Sequence, residues 1–112
     1  MNILVSGGLG YIGSNTVIEL LSNNHSVVIV DNLYNSQIDT KAKIETIANE
    51  KVDFYEIDVT NYSDIKNICK KYKFDGIVHF AGYKAVGESI NKPLKYYENN
   101  LCSTINLARI AL

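Results

Sequence analysis

The sequence predicts an α/β fold built on a doubly wound parallel sheet, and three features carry that prediction. Short apolar runs rich in Val and Ile alternate with segments of helical periodicity from the first residue onward. The runs are continuous rather than alternating, as in strands buried on both faces. A glycine-rich loop, Gly7-Gly8-Leu9-Gly10-Tyr11-Ile12-Gly13, separates the first run from the first helical segment.

Taken in order, residues 2–5 form the first strand, and a helix over 14–22 turns Val17, Ile18, Leu20 and Leu21 inward. Residues 26–30 form a second strand. A weaker helix over 41–48 carries Ile44 and Ile47, and 52–57 is the third strand. Ser63 is the expected N-cap of the next helix, where Ile65, Ile68, Cys69 and Tyr72 follow the i, i+3, i+4, i+7 spacing of one apolar face. Residues 76–80 make the fourth strand, and Pro93 opens the last helix at a position that favours proline. Right-handed crossovers then give the strand order 3-2-1-4, the first half of a Rossmann-type sheet.

On the last helix, Leu94, Tyr97, Leu101, Ile105, Ala108 and Leu112 form one apolar stripe, with Tyr96, Leu107 and Ile110 on a second surface. One must cover the sheet; the other is available to a partner or to further parts of the same chain. No fifth strand follows, which would leave an edge of strand four bare. Residues 1–112 are therefore expected to be the N-terminal part of a longer protein, a dinucleotide-binding domain incomplete at its C-terminus.

Composition excludes several function classes. With 11 basic and 12 acidic residues and a net charge of -1, the chain has no electrostatic footprint for nucleic acid or an anionic membrane. Lys70, Lys71 and Lys73 gather at the end of a helix, where cations suit the dipole. Cys69 and Cys102 lack the spacing of a metal or redox pair and read as two small core residues of a reduced protein. Ile3-Leu4-Val5 is too short an apolar run for a signal peptide or a span. A cytoplasmic protein is expected.

The chemistry lies in the loops after the strands. The glycines read as Gly8-x-Gly10-x-x-Gly13 or as Gly7-x-x-Gly10-x-x-Gly13. Either gives a tight turn, close backbone approach to a pyrophosphate, and free N–H groups at a helix start. Asp31 ends the second strand, where a carboxylate accepts bonds from ribose hydroxyls and repels a 2′-phosphate. Residue 32 is Asn, so no Arg follows to receive such a phosphate, and NAD is favoured over NADP. Asp58 ends the third strand likewise; it either reaches an adenine edge or caps the turn into Thr60-Asn61. Strand four runs into Phe80-Ala81-Gly82, where small residues let a cofactor lie close. His79 reads as a satisfied strand histidine rather than a base, and His25 as a surface residue.

Four blocks occur in a telling order: Gly7-Gly8-Leu9-Gly10-Tyr11-Ile12-Gly13-Ser14, Asp31-Asn32-Leu33-Tyr34-Asn35-Ser36, His79-Phe80-Ala81-Gly82-Tyr83-Lys84-Ala85-Val86-Gly87-Glu88-Ser89, and Pro93-Leu94-Lys95-Tyr96-Tyr97-Glu98-Asn99-Asn100. Over essentially all 112 residues the chain resembles the N-terminal third of the UDP-glucose 4-epimerases, extended short-chain dehydrogenase/reductases. The resemblance implies a tightly held NAD that takes a hydride from C4 of a UDP-hexose and returns it to the other face. It also implies roles for residues. Tyr11 and Ile12 contact the pyrophosphate, beside Gly7, Gly10 and Gly13. Asp31, Asn32, Asn35 and Ser36 hold the adenosine ribose, with Leu33 and Tyr34 in the same block. Asp58 and Val59 read the adenine. Phe80, Ala81, Gly82, Tyr83 and Lys84 lie along the pyrophosphate and nicotinamide, and Asn99 completes the pocket. Homodimers that pair the last helix are implied as well.

Two departures stand out: Asn15 replaces a usual His, and Tyr83 a usual aliphatic residue. The family's catalytic Tyr-x-x-x-Lys pair and its neighbouring Ser or Thr are absent. Tyr62 and Lys66 have the spacing, but at a helix start after strand three. No catalytic residue is therefore expected here, and these 112 residues alone should bind NAD weakly or not at all and turn over no sugar. A nucleotide-sugar dehydratase or decarboxylase, and a stand-alone NAD-binding module, are the alternatives.

Overall fold

The computed structural model describes residues 1–82 and 86–112, Val86 through its backbone alone. Its elements are β1 (Asn2–Ser6), α1 (Tyr11–Ser22), β2 (Ser26–Asp31), α2 (Asp39–Ala48), β3 (Asp53–Glu56), α3 (Tyr62–Lys71), β4 (Gly76–His79), α4 (Val86–Asn91) and α5 (Pro93–Ala111). The strands form one parallel sheet in the order β3-β2-β1-β4, as expected. Ser6 lies opposite Val30 on one side and His79 on the other, and Asp31 opposite Glu56. The carboxyl ends of the strands thus open on one edge, and the loops that follow them share it.

Both faces of the sheet are covered, which is why the strands read as unbroken apolar runs. Ile3, Val5, Val27 and Ile29 face Val17 and Leu21 of α1 and Ile44 of α2. Leu4, Val28 and Val30 face Ile65 and Ile68 of α3 and Leu107 of α5. Each such aliphatic side chain contributes about 1.5–3 kcal/mol on full burial.

Several details differ from the sequence-based expectation. Helix α1 begins at Tyr11, three residues early, because Gly10 is extended (φ -72, ψ 174) and serves as N-cap, so the glycine loop itself supplies the first turn. The N-cap of α3 is Asn61 rather than Ser63: its side chain accepts the Asp64 N–H at 3.3 Å, and α3 starts at Tyr62. Ile47 points outward, so α2 buries Ile44 alone. Cys102 is exposed and not a core residue, while Cys69 is half-buried, and burial raises its thiol pKa. The short helix α4 was not expected from the sequence.

On α5 the two apolar surfaces part company. Leu107 is buried and Ile110 half-buried against the sheet, together with two polar residues, Ser103 and Asn106. Leu94, Tyr97, Leu101, Ile105 and Leu112 face outward, each more than half exposed. At the β3 edge, the Tyr72 hydroxyl donates to Asp53 Oδ2 (3.0 Å) and accepts from the Tyr55 hydroxyl (2.7 Å). The bond to Tyr55, then burial and Asp53, hold that phenol protonated well above its ordinary range. No helix of the described residues is long and apolar enough to cross a membrane.

Candidate functional site

The glycine loop leaves β1 through a residue that only glycine fits easily. Gly7 has φ +69, and a Cβ there would lie 2.7 Å from the Ala81 nitrogen. Its N–H donates to Val30 O (2.8 Å), and its carbonyl accepts from Gly10 N–H (3.1 Å). A Cβ at Gly13 would overlap the Gly7 carbonyl oxygen, so the first turn of α1 can settle on the loop only without a side chain there. Gly8 faces Ile29 of the core instead. The spacing Gly7-x-x-Gly10-x-x-Gly13 is thus the one that describes the turn.

No side chain caps α1, whose first intrahelical bond runs from Ser14 N–H to Gly10 O (2.8 Å). The helix start therefore offers backbone donors and the positive end of a dipole to an anion. It opens on a cleft of about 330 Å³ walled on this side by Gly7, Gly10, Tyr11, Ile12 and Gly13. Asp31, Asn32, Tyr34, Asn35 and Ser36 line it from the β2 loop, and Asp58 and Val59 from the β3 loop. Phe80, Ala81 and Gly82 follow β4, and Asn99 comes from α5. Of the remaining expected residues, Leu33 does not line the cleft: half-buried at φ +60, it packs against the core. Tyr83 and Lys84 lie outside the described residues.

Asp31 is 7% exposed and joins two loops through three bonds. Its Oδ2 accepts the Leu9 N–H (3.1 Å); its Oδ1 accepts the Leu33 N–H (2.9 Å) and the Ser36 hydroxyl (2.9 Å). One carboxylate thus fixes the glycine loop and the β2 loop against each other, and a carboxylate's four lone-pair sites leave room for one more donor. Asp58 does cap its turn: Oδ1 takes the N–H (2.9 Å) and hydroxyl (2.7 Å) of Thr60, while the residue still lines the cleft.

The far wall contains residues that the sequence did not single out. Asn106, buried in α5, donates from Nδ2 to Val59 O (2.8 Å) and Thr60 O (3.0 Å), pinning the β3 loop that carries Asp58. Asn106 stands behind the cleft, whereas Ser103 and Ile57 line it. Ser103 lies between the Asn100 carbonyl, to which it donates at 3.1 Å, and His79 Nε2 at 3.3 Å. His79 Nδ1 meets the Ser6 hydroxyl, whose oxygen also accepts the Ala81 N–H (3.3 Å). One assignment of protons satisfies all four groups: Nε2 donates to Ser103, and Ser6 donates to Nδ1. His79 is therefore the satisfied strand histidine that was expected, and it ties β1, β4 and α5 together beside the cleft. An apolar-periodicity reading could not find Ser103 or Asn106, because both are polar residues and such a reading assigns only apolar positions to the buried face.

Tyr62 and Lys66 lie off the cleft at the start of α3, where the Arg109 guanidinium sits 4.3 Å from the Tyr62 ring centre. No group of three or more His, Cys, Asp or Glu that could hold a metal forms among the described residues.

The profile of the GDP-mannose 4,6 dehydratase family matches residues 4–112. The chain is 46% identical over 107 residues to a protein of Neisseria meningitidis named UDP-glucose 4-epimerase, covering 96% of this chain and 32% of that protein. It is 47% identical over 108 residues to the bifunctional protein gal10 of Schizosaccharomyces pombe, covering 96% of this chain and 15% of that protein. A solved UDP-glucose 4-epimerase of Bifidobacterium longum, in complex with NAD+ and UDP, superposes with a TM-score of 0.96 at 40% identity, covering 98% of this chain and 33% of that one. The chain thus spans about a third or less of the length of these relatives.

Proposed function

The chain belongs to the GDP-mannose 4,6 dehydratase family, and we propose that within it these residues are the NAD-holding part of a UDP-hexose 4-epimerase. One observation carries the cofactor reading. The uncapped start of α1 and the Asp31 carboxylate open on a single cleft where β1 is flanked by β2 and β4, the point at which the strand order reverses.

The residues suit a dinucleotide. The amides at the start of α1 seat the pyrophosphate, and the absence of side chains at Gly7 and Gly13 lets it come close. Asp31, with Asn32, Asn35 and Ser36 beside it, takes the adenosine ribose, and Leu33 serves from behind through its N–H. Asp58 and Val59 take the adenine, while Ala81, Gly82 and Asn99 flank the remainder. When bound, NAD supplies a hydride acceptor that takes and returns the hydrogen at C4 of the sugar. The names of the relatives favour epimerisation over dehydration. The reading requires the catalytic pair and the sugar site to come from residues other than these 112, and it brings galactose metabolism and a cytoplasmic location with it.

The outward stripe of α5, Leu94, Tyr97, Leu101 and Ile105, suits a second copy of the chain packed helix to helix.

The decisive experiment isolates the protein in its full length, assays bound NAD, and follows UDP-galactose by NMR. Bound NAD with conversion to UDP-glucose is expected. Loss of water from the sugar would make it a dehydratase, and NAD without turnover a binding module. Sedimentation of a Leu101→Glu, Ile105→Glu variant tests the dimer, which should fall to monomer.

A further inference from the structure

We propose that Tyr34, Lys95 and Glu88 form a clasp across the mouth of the cleft that slows both entry and release of the dinucleotide. The proposal rests on the cofactor reading above. Tyr34 belongs to the loop after β2 and lines the cleft on the side of Asp31. Lys95 lies in the first turn of α5, one turn before Asn99, which lines the opposite side. The Lys95 ammonium spans between these walls. It donates to the Tyr34 hydroxyl at 2.6 Å and pairs with Glu88 Oε1 at 3.0 Å. The same Glu88 oxygen accepts the Tyr96 hydroxyl at 3.2 Å, which holds the carboxylate in place on the α5 side.

The contact is a directed bond, not a ring stack: Nζ lies 4.9 Å from the Tyr34 ring centre, nearly twice its distance from the hydroxyl oxygen. Lys95 and Glu88 both stay ionised near neutrality. The bond to Tyr34, then that to Glu88, raise the Lys95 pKa, and the bond from Lys95 lowers that of Glu88. The side chains of Lys95 and Glu88 are 30% and 34% exposed, so added salt reaches the pair and weakens it. On this proposal, a ligand lying between the β2 loop and α5 enters and leaves beneath this bridge. Passage in either direction then breaks the bond from Lys95 to Tyr34.

A clasp differs from an ordinary binding contact in what it does to rates. A contact made to the ligand slows release alone and tightens affinity. A bridge made over the ligand slows both directions and leaves affinity nearly unchanged.

The test measures NAD association and dissociation by stopped flow on the full-length protein, at low and high salt. We expect Lys95→Met and Tyr34→Phe each to speed both rates about tenfold, with a change in Kd under about threefold. Raising salt should speed release from the wild type and leave Lys95→Met unmoved. Lys95→Arg, which keeps a charged donor, should restore slow exchange. Tyr34→Phe keeps the ring and removes no buried group, so it guards against a folding failure in the other variants. Unchanged rates in both variants would overturn the clasp, as would faster release at an unchanged association rate. A wild-type protein that binds no NAD would sink the cofactor reading and the clasp with it, whereas NAD binding with unchanged rates sinks the clasp alone.

Discussion

On the β1–α1 side the cleft is walled by backbone. Gly7 turns through a positive φ, Gly13 lets α1 rest on the loop, and the amides of the first turn face the opening. On the β4–α5 side the wall is braced by side chains that reach across long stretches of sequence. Ser103 meets His79, Asn106 holds the carbonyls of Val59 and Thr60, and Lys95 crosses to Tyr34. At Gly7 and Gly13 the first wall admits almost no substitution, because a glycine's missing atom is what makes it there. The second is built of separate bonds, each removable at its own cost.

Substitutions that exploit this contrast should grade steeply. Gly13→Val is expected to cost about 3 kcal/mol or more in urea denaturation, because its side chain collides with fixed backbone. A tolerated Gly13→Val would end the comparison outright. Asp31→Ala should cost about 2–3 kcal/mol, since it strands the Leu9 N–H and frees two loops, and NAD affinity should fall with it in calorimetric titration. Asn106→Ala should cost about 1–2 kcal/mol and loosen the β3 loop, visible as faster amide exchange around Thr60. Ser103→Ala, which removes one partner of a histidine held at both nitrogens, should cost about 1 kcal/mol or less by the same denaturation measurement.

The smallest effect lies behind the first wall. The Glu45 carboxylate accepts the Val52 N–H at 2.9 Å and pairs with Lys41 at 3.3 Å, and these bonds hold its pKa below the ordinary 4.5. A depressed folded pKa gives stabilisation that is full above the unfolded value and fades as pH falls through the folded one. Melting temperature should therefore decline less steeply below pH 4.5 in Glu45→Gln than in the wild type.

The same contrast explains what could be read from the chain. The backbone-built wall follows rules of spacing: three glycines three residues apart between an apolar run and a helix announce the turn, and Asp31 announces the end of β2. Strand order followed from right-handed crossovers together with the Rossmann pattern that the glycine loop announces. The side-chain wall obeys no local rule. Ser103 and Asn106 became legible only once α5 was seen to lie on the sheet by its Leu107 face, which puts two polar residues inside and the longer apolar stripe outside. The misplaced cap of α3 has a similar source. Asn61 and Ser63 are both good capping residues, and which one serves depends on where the β3 loop is pinned.

Asp31 carries a lesson for anyone wishing to redesign the ligand preference of this fold. On the proposed reading, accommodating a 2′-phosphate begins with removing the carboxylate that would repel it, yet that carboxylate also fastens the glycine loop and the β2 loop to one another. A single exchange would therefore loosen the site while opening it. Any route to the phosphorylated dinucleotide has to replace three anchoring bonds before it adds a cation, so selectivity and foldability must be changed together.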